Sequence, residues 1–396
     1  MNHNWTYKKL GEVCEILNGF AFKSDEYKDE GIRVMRITNV QKGAVVDDDP
    51  KFFPIERKNE IAKYMLQEGD MLMSLTGNVG RVGIIDGSFL PAALNQRVAC
   101  LRLIDNQLNK KFLFHILNSD VFEHNCIFNA IGIAQKNMST KWLEQYRIPL
   151  PPLETQSRIV SELDLLQAII DKQKAQLAEL DNLAQCIFYD MFGDPVDNDK
   201  GWETTRLEDL CEVSSSKRVL VEDVVESGIP FLRGTELTAL SKVVSSKDVN
   251  FTMFITPEHY ERVKAITGVP KKGDILIPSI NSEGITWVVD TDEPFYFKDG
   301  RVIWVHVNTN AFVSKYLSSV ISKVLKANYS VLTSGATFLE LKLFIIRDLI
   351  VPLPPLSLQQ SFAAKIESIE KQKAAINQSI AETQKLFNFT MDKYFG

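Results

Sequence analysis

The sequence predicts an α+β (mixed α/β) chain of two pseudo-symmetric domains and two long helices that pair as a coiled coil. Three observations predict it. One half of the chain repeats the other. Strand-like and helix-like stretches interleave without regular βαβ alternation. Each copy also closes on a long apolar stripe whose steps alternate between four and three residues, which is coiled-coil spacing.

The repeat is carried by motifs at a nearly constant offset. Ile148-Pro-Leu-Pro-Pro-Leu153 returns 203 residues later as Val351-Pro-Leu-Pro-Pro-Leu356, Gln156 as Gln359, and Phe192-Gly193 as Phe395-Gly396. Trp5 returns as Trp202, and Leu10-Gly-Glu-Val-Cys14 as Leu207-Glu-Asp-Leu-Cys211, at an offset of 197. Gly69-Asp70 and Arg97-Val98 return as Gly273-Asp274 and Arg301-Val302 at an offset of 204. A period near 200 is far too long for a solenoid. Four segments follow: domains over residues 1–153 and 194–356, and helices over 154–193 and 357–396.

In the first copy, residues 33–39, 71–75 and 97–103 alternate as half-buried strands. Gly77, Asn78 and Gly80 punctuate a turn before residues 82–85, which predicts a hairpin. Residues 111–117 and 121–128 read as short helices. The second copy keeps the order, with strands at 230–233, 274–277, 286–289 and 301–307 and a helix near 312–325.

Past Leu153 the stripe runs through Ile159, Leu163, Leu166, Ile170, Leu177, Leu180, Ala184, Ile187 and Met191, broken only at Gln173. In the same register the second stripe has Phe362, Ile366, Ile369, Ile376, Ile380, Phe387 and Tyr394, with Lys373, Thr383 and Thr390 as its polar members. A segment of about 39 residues spans roughly 58 Å at 1.5 Å per residue, and Gly193 followed by Pro195 stops the first helix. Two separate amphipathic helices, each covering its own domain, is the alternative. Matched register and length favour a pair, and Leu165, Ile169, Leu183 and Phe188 outside the seam point to a further helical partner.

Composition excludes several classes. With 45% hydrophobic and 24% charged residues the chain is an ordinary globular one, with neither a signal-type N-terminus nor an apolar run long enough for a membrane span. Five cysteines without metal spacing predict reduced thiols in a cytoplasmic protein. A phosphate loop, a dinucleotide glycine triplet, a nucleophile elbow and a zinc pattern are all missing from the sequence. The five histidines are scattered, and Asp47-Asp-Asp49 before Pro50 reads as a solvated loop rather than a metal site. A binding module therefore fits better than an enzyme. Like strands around unlike loops, Thr76-Gly-Asn-Val-Gly-Arg81 against Ile280-Asn-Ser-Glu-Gly-Ile285, suit two heads that read different short sequences. Duplex DNA is the natural target, because sites one helical turn (~34–36 Å) apart share a face.

The repeated proline lead-in with its glutamine, the Gly-Asp strand and the Trp…Leu start of each copy resemble the specificity subunit of type I restriction-modification systems. The resemblance spans essentially the full length. It implies two target-recognition domains, each reading half of a bipartite asymmetric DNA site, separated by an antiparallel coiled coil. That coiled coil would dock two methyltransferase (modification) subunits, with restriction subunits outside. It also implies no catalytic residue and no cofactor in this chain, S-adenosylmethionine, ATP and Mg being expected on the partners. A net charge of −6 opposes a whole-surface grip on DNA, and phosphate neutralisation by partner subunits would resolve this.

Base-edge contacts need amide, guanidinium, ammonium or hydroxyl groups on loops. The first copy offers Lys23, Arg36, Asn39, Thr76, Asn78, Arg81, Asn95, Gln96, Gln135, Lys136 and Asn137; the second offers Lys217, Arg218, Arg233, Thr235, Asn281, Ser282, Lys298, Arg301 and Thr337. Arg36/Arg233 and Arg97/Arg301 recur in both copies, as a shared structural or phosphate role requires. Asn78 with Arg81, against Asn281 with Ser282, differ between copies as sequence readers should. The rival readings are a targeting subunit of another defence or modification complex, a protein-binding adaptor, and a stand-alone enzyme.

Overall fold

Forty residues, Leu153–Phe192, form the first long helix and forty more, Leu356–Phe395, the second. The computed structural model describes residues 5–130, 137–243, 245–332 and 340–396. It divides into two units, residues 1–172 with 380–396, and residues 173–379. The division cuts both helices near their middles. Part of each helix lies in each unit.

Within each unit the two helices run antiparallel. In the second, Gln173 Nε2 donates to Ser379 Oγ at 2.6 Å and Lys373 Nζ to Asp181 Oδ1 at 2.6 Å. In the first, Tyr394 Oη donates to Glu162 Oε2 at 2.8 Å. Ile159, Leu163, Leu166, Ile170, Leu177, Leu180 and Ile187 are all buried or half-buried, as are Ile366, Ile369, Ile376, Ile380 and Phe387 opposite them. Gln173, Lys373 and Thr383 keep their places in the seam, half-buried. Polar seam residues of this kind fix register at some cost in stability.

One flank of the helix pair is covered in each unit. Val160 and Met391 join the core of the first unit, and Phe188 that of the second. The expectation that Phe188 awaits an external helix is corrected here. It is 1% exposed, with ring centroids 5.3 Å from Phe192 and 5.7 Å from Phe362. On the open flank Leu165, Ile169, Leu183, Leu386 and Phe389 remain exposed.

The main sheets of the two units match strand for strand. In the first, Val98–Leu103 lies between Cys14–Asn18 and Met71–Ser74, and Val82–Ile84 forms the far edge. In the second, Val302–His306 lies between Glu212–Ser214 and Ile275–Pro278, with Trp287–Val288 at the edge. A parallel pair accompanies each: Ile32–Met35 with Ala92–Leu94, and Ile229–Leu232 with Tyr296–Phe297. The helix of the second copy, Ser314–Leu332, outruns its expected end.

The proline lead-ins turn out to be strands. Arg147–Leu150 pairs antiparallel with Thr6–Lys9, and Ile350–Pro352 with Thr204–Arg206. Proline is tolerated because each ribbon has two strands, so its missing N–H faces an open edge. The start and the end of each copy repeat together because they are two sides of one ribbon. The strand expected over 33–39 stops at Met35, where Asn39 Oδ1 accepts from Arg36 N at 3.0 Å and bends the chain. Glu236 does the same at the equivalent place, accepting from Arg233 N at 2.9 Å.

Candidate nucleic-acid interface

The hairpins carrying the unlike loops have identical register. Met71 opposes Ile84 and Leu72 opposes Gly83, as Ile275 opposes Val288 and Leu276 opposes Trp287. A buried carboxylate holds each one. Asp70 takes a bidentate pair from Arg102, Nε to Oδ1 at 2.9 Å and Nη2 to Oδ2 at 2.7 Å. Asp274 is held by Trp304 Nε1 at 2.9 Å and faces His306 Nδ1 at 2.9 Å. Each also accepts a backbone N–H from three residues upstream, Gln67 and Lys271 respectively.

In the first unit the turn is tied at its base. Ser74 Oγ donates to Asn78 O at 2.5 Å and accepts from Arg81 N at 3.1 Å. Gly77 and Gly80 take φ of 71° and 87°, where a side chain would be strained. Leu75 N donates to Arg97 O, and Met138 N to Leu75 O, so three loops converge. Thr76, Asn78, Arg81, Gln96, Arg97 and Asn137 meet at this edge, Thr76 bridging to Asn137. Arg81 Nη1 donates to Gln41 Oε1 at 2.5 Å. With its amide oxygen toward the guanidinium, Asn78 accepts from Arg81 Nη1 at 3.3 Å and Nη2 at 3.1 Å. Asn78, Gln96, Arg97 and Asn137 are exposed, and Arg81 is half-buried.

Sequence reasoning missed Gln41 and Thr38, which are joined when Gln41 Nε2 donates to Thr38 O at 3.0 Å. The short hairpin Val40–Gln41 with Ala44–Val45, turning at Lys42-Gly43, is the signal that was available. Lys23 is exposed away from these contacts. Gln135, Lys136 and Thr337 lie outside the described residues.

Several expected base readers have other work. Asn39 is buried, its Nδ2 donating to Val46 O at 3.0 Å, and Asn95 Oδ1 accepts from Arg97 N at 3.1 Å. Arg36 is paired with Asp49 of the acidic loop, and Arg33 with Asp47. Asn281 is buried and closes its own turn, Nδ2 donating to Ile285 O at 2.7 Å. Arg233 is held by Glu236, Nη2 to Oε1 at 2.9 Å, and Thr235 Oγ1 donates to the same carboxylate at 2.9 Å. Burial opposes the charge on Glu236, but the hydrogen bonds from Arg233 and Thr235 hold its carboxyl below the usual value.

At the turn of the second hairpin Ser279 N donates to Arg301 O and Leu341 N to Ser279 O, repeating the convergence of the first unit. Glu340 gathers Ser279 Oγ at 3.0 Å, Lys342 Nζ at 2.9 Å and Arg301 Nη1 at 3.3 Å. Burial disfavours its charge, yet the Lys342 and Ser279 contacts keep its carboxyl below the ordinary range. Ser282 is exposed at the tip. Lys217 and Arg218 are exposed beside the parallel pair, where Lys217 N donates to Tyr296 Oη at 2.7 Å. Lys298 is half-buried next to Arg233, its N–H donating to Leu232 O at 2.9 Å. Among the described residues no group of three or more His, Cys, Asp or Glu could hold a metal ion, and no helix is long and apolar enough to cross a membrane.

A duplicated scaffold that presents two chemically different polar turns defines a recognition protein. The model of the type I restriction modification DNA specificity domain matches the chain twice, over residues 2–182 and 199–385, and the chain belongs to that family. It is 24% identical over an alignment of 429 residues to the EcoBI specificity subunit of Escherichia coli, covering 100% of this chain and 86% of that protein. It is 30% identical over 181 residues to the MjaVIII specificity subunit of Methanocaldococcus jannaschii, covering 44% of this chain and 43% of that one. Among solved structures, the S subunit of M. genitalium is similar in fold at 16% identity and a TM-score of 0.53, covering 100% and 97% of the two chains. A chain from a study of type I R-M complex assembly reaches 0.57 at 20% identity, covering 99% and 97%. The protein is thus a specificity subunit of the type I restriction-modification class.

Proposed function

We propose that each unit reads one half of a bipartite, asymmetric DNA sequence, and that the helix pair docks two methyltransferase subunits, with restriction subunits joining the assembly. One observation carries the first part: hairpins of identical register hold different turns, with Thr76, Asn78 and Arg81 replaced by Ile280, Ser282 and Ile285. A constant backbone with exchanged side chains changes which base edges are matched and leaves the docking geometry alone.

Arg81 is the leading reader of the first half-site. Gln41 and Asn78 aim its guanidinium, and a fixed fork can address two acceptors on one base. Asn78, Gln96, Asn137 and Ser282 supply amide and hydroxyl groups, while Arg97, Lys217, Arg218 and Lys298 suit phosphates. The exposed flank of Leu165, Ile169, Leu386 and Phe389 supports docking of a partner helix. Chemistry belongs to the partners in this reading: adenine methylation with S-adenosylmethionine and cleavage with ATP and Mg, all in the cytoplasm. The partners also neutralise phosphates that a chain of net charge −6 repels.

Mapping modified adenines produced by the assembled complex tests the proposal. Arg81→Ala should relax the preference at one position of one half-site, at a cost of about 1–3 kcal/mol there, and leave the other half-site intact. An unchanged motif removes Arg81 as a reader. A complex with no sequence-specific band on any bipartite site favours the adaptor reading instead.

A further inference from the structure

We infer that Ile280 is a specificity-determining residue of the second unit, reading thymine through its 5-methyl group; this rests on the DNA-reading proposal above. Ile280 is 61% exposed at the tip of the hairpin, in the place Thr76 holds in the first unit. A large β-branched side chain in water is ordinary where the backbone is loose, but here both neighbours are fixed. Ser279 is tied through N to Arg301 O at 2.9 Å, through O to Leu341 N at 2.7 Å, and through Oγ to Glu340 at 3.0 Å. Asn281 spans the turn with its amide, Oδ1 accepting from Ile285 N at 2.5 Å, and its own N–H donates to Tyr329 Oη at 3.1 Å. The turn therefore holds a hydrocarbon in solvent at a set position.

The surroundings select the occupant. Arg301 and Lys342 are both paired with Glu340, and Glu283 and Ser282 stand exposed on the same turn, so Ile280 is a single apolar group among polar and charged side chains, not an apolar patch of the size a protein interface buries. The major groove of duplex DNA offers the complementary pattern: polar base edges with one apolar group among them, the methyl of thymine. Covering one methyl group changes affinity about fourfold.

The test uses the assembled methyltransferase complex and duplexes carrying its own bipartite site, with each thymine of the specified bases replaced in turn by deoxyuridine, which lacks only the methyl. One position in one half-site should weaken binding about fourfold. Ile280→Ala should bind the thymine duplex as weakly as the native complex binds that deoxyuridine duplex, and lose nothing further on replacement. Ile280→Val, which keeps the branched methyls, should retain the discrimination. Sequence-specific binding that is indifferent to deoxyuridine at every position overturns the inference, as does a specified half-site without an A·T pair, or equal deoxyuridine sensitivity in native and Ile280→Ala complexes. Loss of the methyltransferase subunit on Ile280→Ala would also overturn it, by making the residue a protein contact. Absence of any sequence-specific binding by the native complex refutes the underlying DNA-reading proposal instead.

Discussion

Gln156→Ala removes a clamp that both copies share. Gln156 is fully buried; its Oε1 accepts from Asn109 N at 2.7 Å, and its Nε2 donates to Gln107 O at 2.9 Å and Pro151 O at 2.8 Å. Gln359 repeats the arrangement with Val313 N at 2.8 Å, Ala311 O at 3.1 Å and Pro354 O at 2.9 Å. Each glutamine thus fastens the start of a long helix to the loop before a domain helix. Three hydrogen bonds at about 1 kcal/mol net give about 3 kcal/mol. Unsatisfied backbone partners raise that figure, while releasing a side chain that forfeited up to about 2 kcal/mol of rotamer entropy lowers it. The expected loss is about 3 kcal/mol, or about 6–12 °C in Tm for a unit of this size. Calorimetry and urea unfolding, following the units as separate transitions, would measure it. Gln156→Glu should be at least as damaging, since a carboxylate keeps the acceptor but faces two carbonyl oxygens. Exposed Gln176→Ala should stay within about 0.5 kcal/mol. Losses below about 1 kcal/mol for both Gln156→Ala and Gln359→Ala would refute the reasoning.

Three further outcomes follow from the geometry. Leu165→Asp with Phe389→Asp, at positions 63% and 66% exposed, should leave the melting of the isolated chain within a few degrees yet abolish copurification with the methyltransferase subunit; retained copurification places the docking surface elsewhere. Burial holds the His115 imidazole below its ordinary pKa, against the opposing pull of Asp164, so the folded state resists a proton that the unfolded chain accepts. That contribution to stability is complete above about pH 6.5 and declines as pH falls, so His115→Asn should flatten the urea midpoint between pH 7.5 and 5.5, and an unchanged slope assigns the dependence to other groups. Burial pushes the thiols of Cys14 and Cys126 up to about 12 and raises those of Cys100 and Cys211, whereas Cys186 is exposed. A thiol reagent should then find one fast cysteine in the native chain and five after denaturation; two fast thiols would contradict the burial.

Much of the fold was legible because it is periodic. The steps of four and three from Ile159 to Met191 mark the seam residue by residue, and the apolar runs at Met71–Ser74 and Val302–His306 mark strands of the two main sheets, although Met71–Ser74 is buried on both faces and not on one as its expected alternation implied. The lead-in strands were not legible. Arg147–Leu150 is a strand only through pairing with Thr6–Lys9, more than a hundred residues away, and its prolines argue locally against it. The interface was half legible. Loop divergence pointed to Asn78 and Arg81, which the fold does bring together. Nothing local separates them from Asn39 or Asn281, whose amides close turns whose partners, Val46 and Ile285, become neighbours only once the chain bends. Gln41, which aims Arg81, lies on another hairpin altogether.

The sequence by itself determined the duplication, the helix pair and the place where the copies differ, because repetition and periodicity are properties of order along the chain. Tertiary structure alone decided which charges are free. Arg36, Arg233 and Arg301 look alike in sequence to Arg81, yet Asp49, Glu236 and Glu340 neutralise them. It also decided that Phe188 belongs to a core and Leu165 to an open flank, although both lie beside the same seam. The physical reason is common to these cases: burial and pairing depend on which surfaces meet, and a one-dimensional pattern records the face a residue occupies but not what covers it.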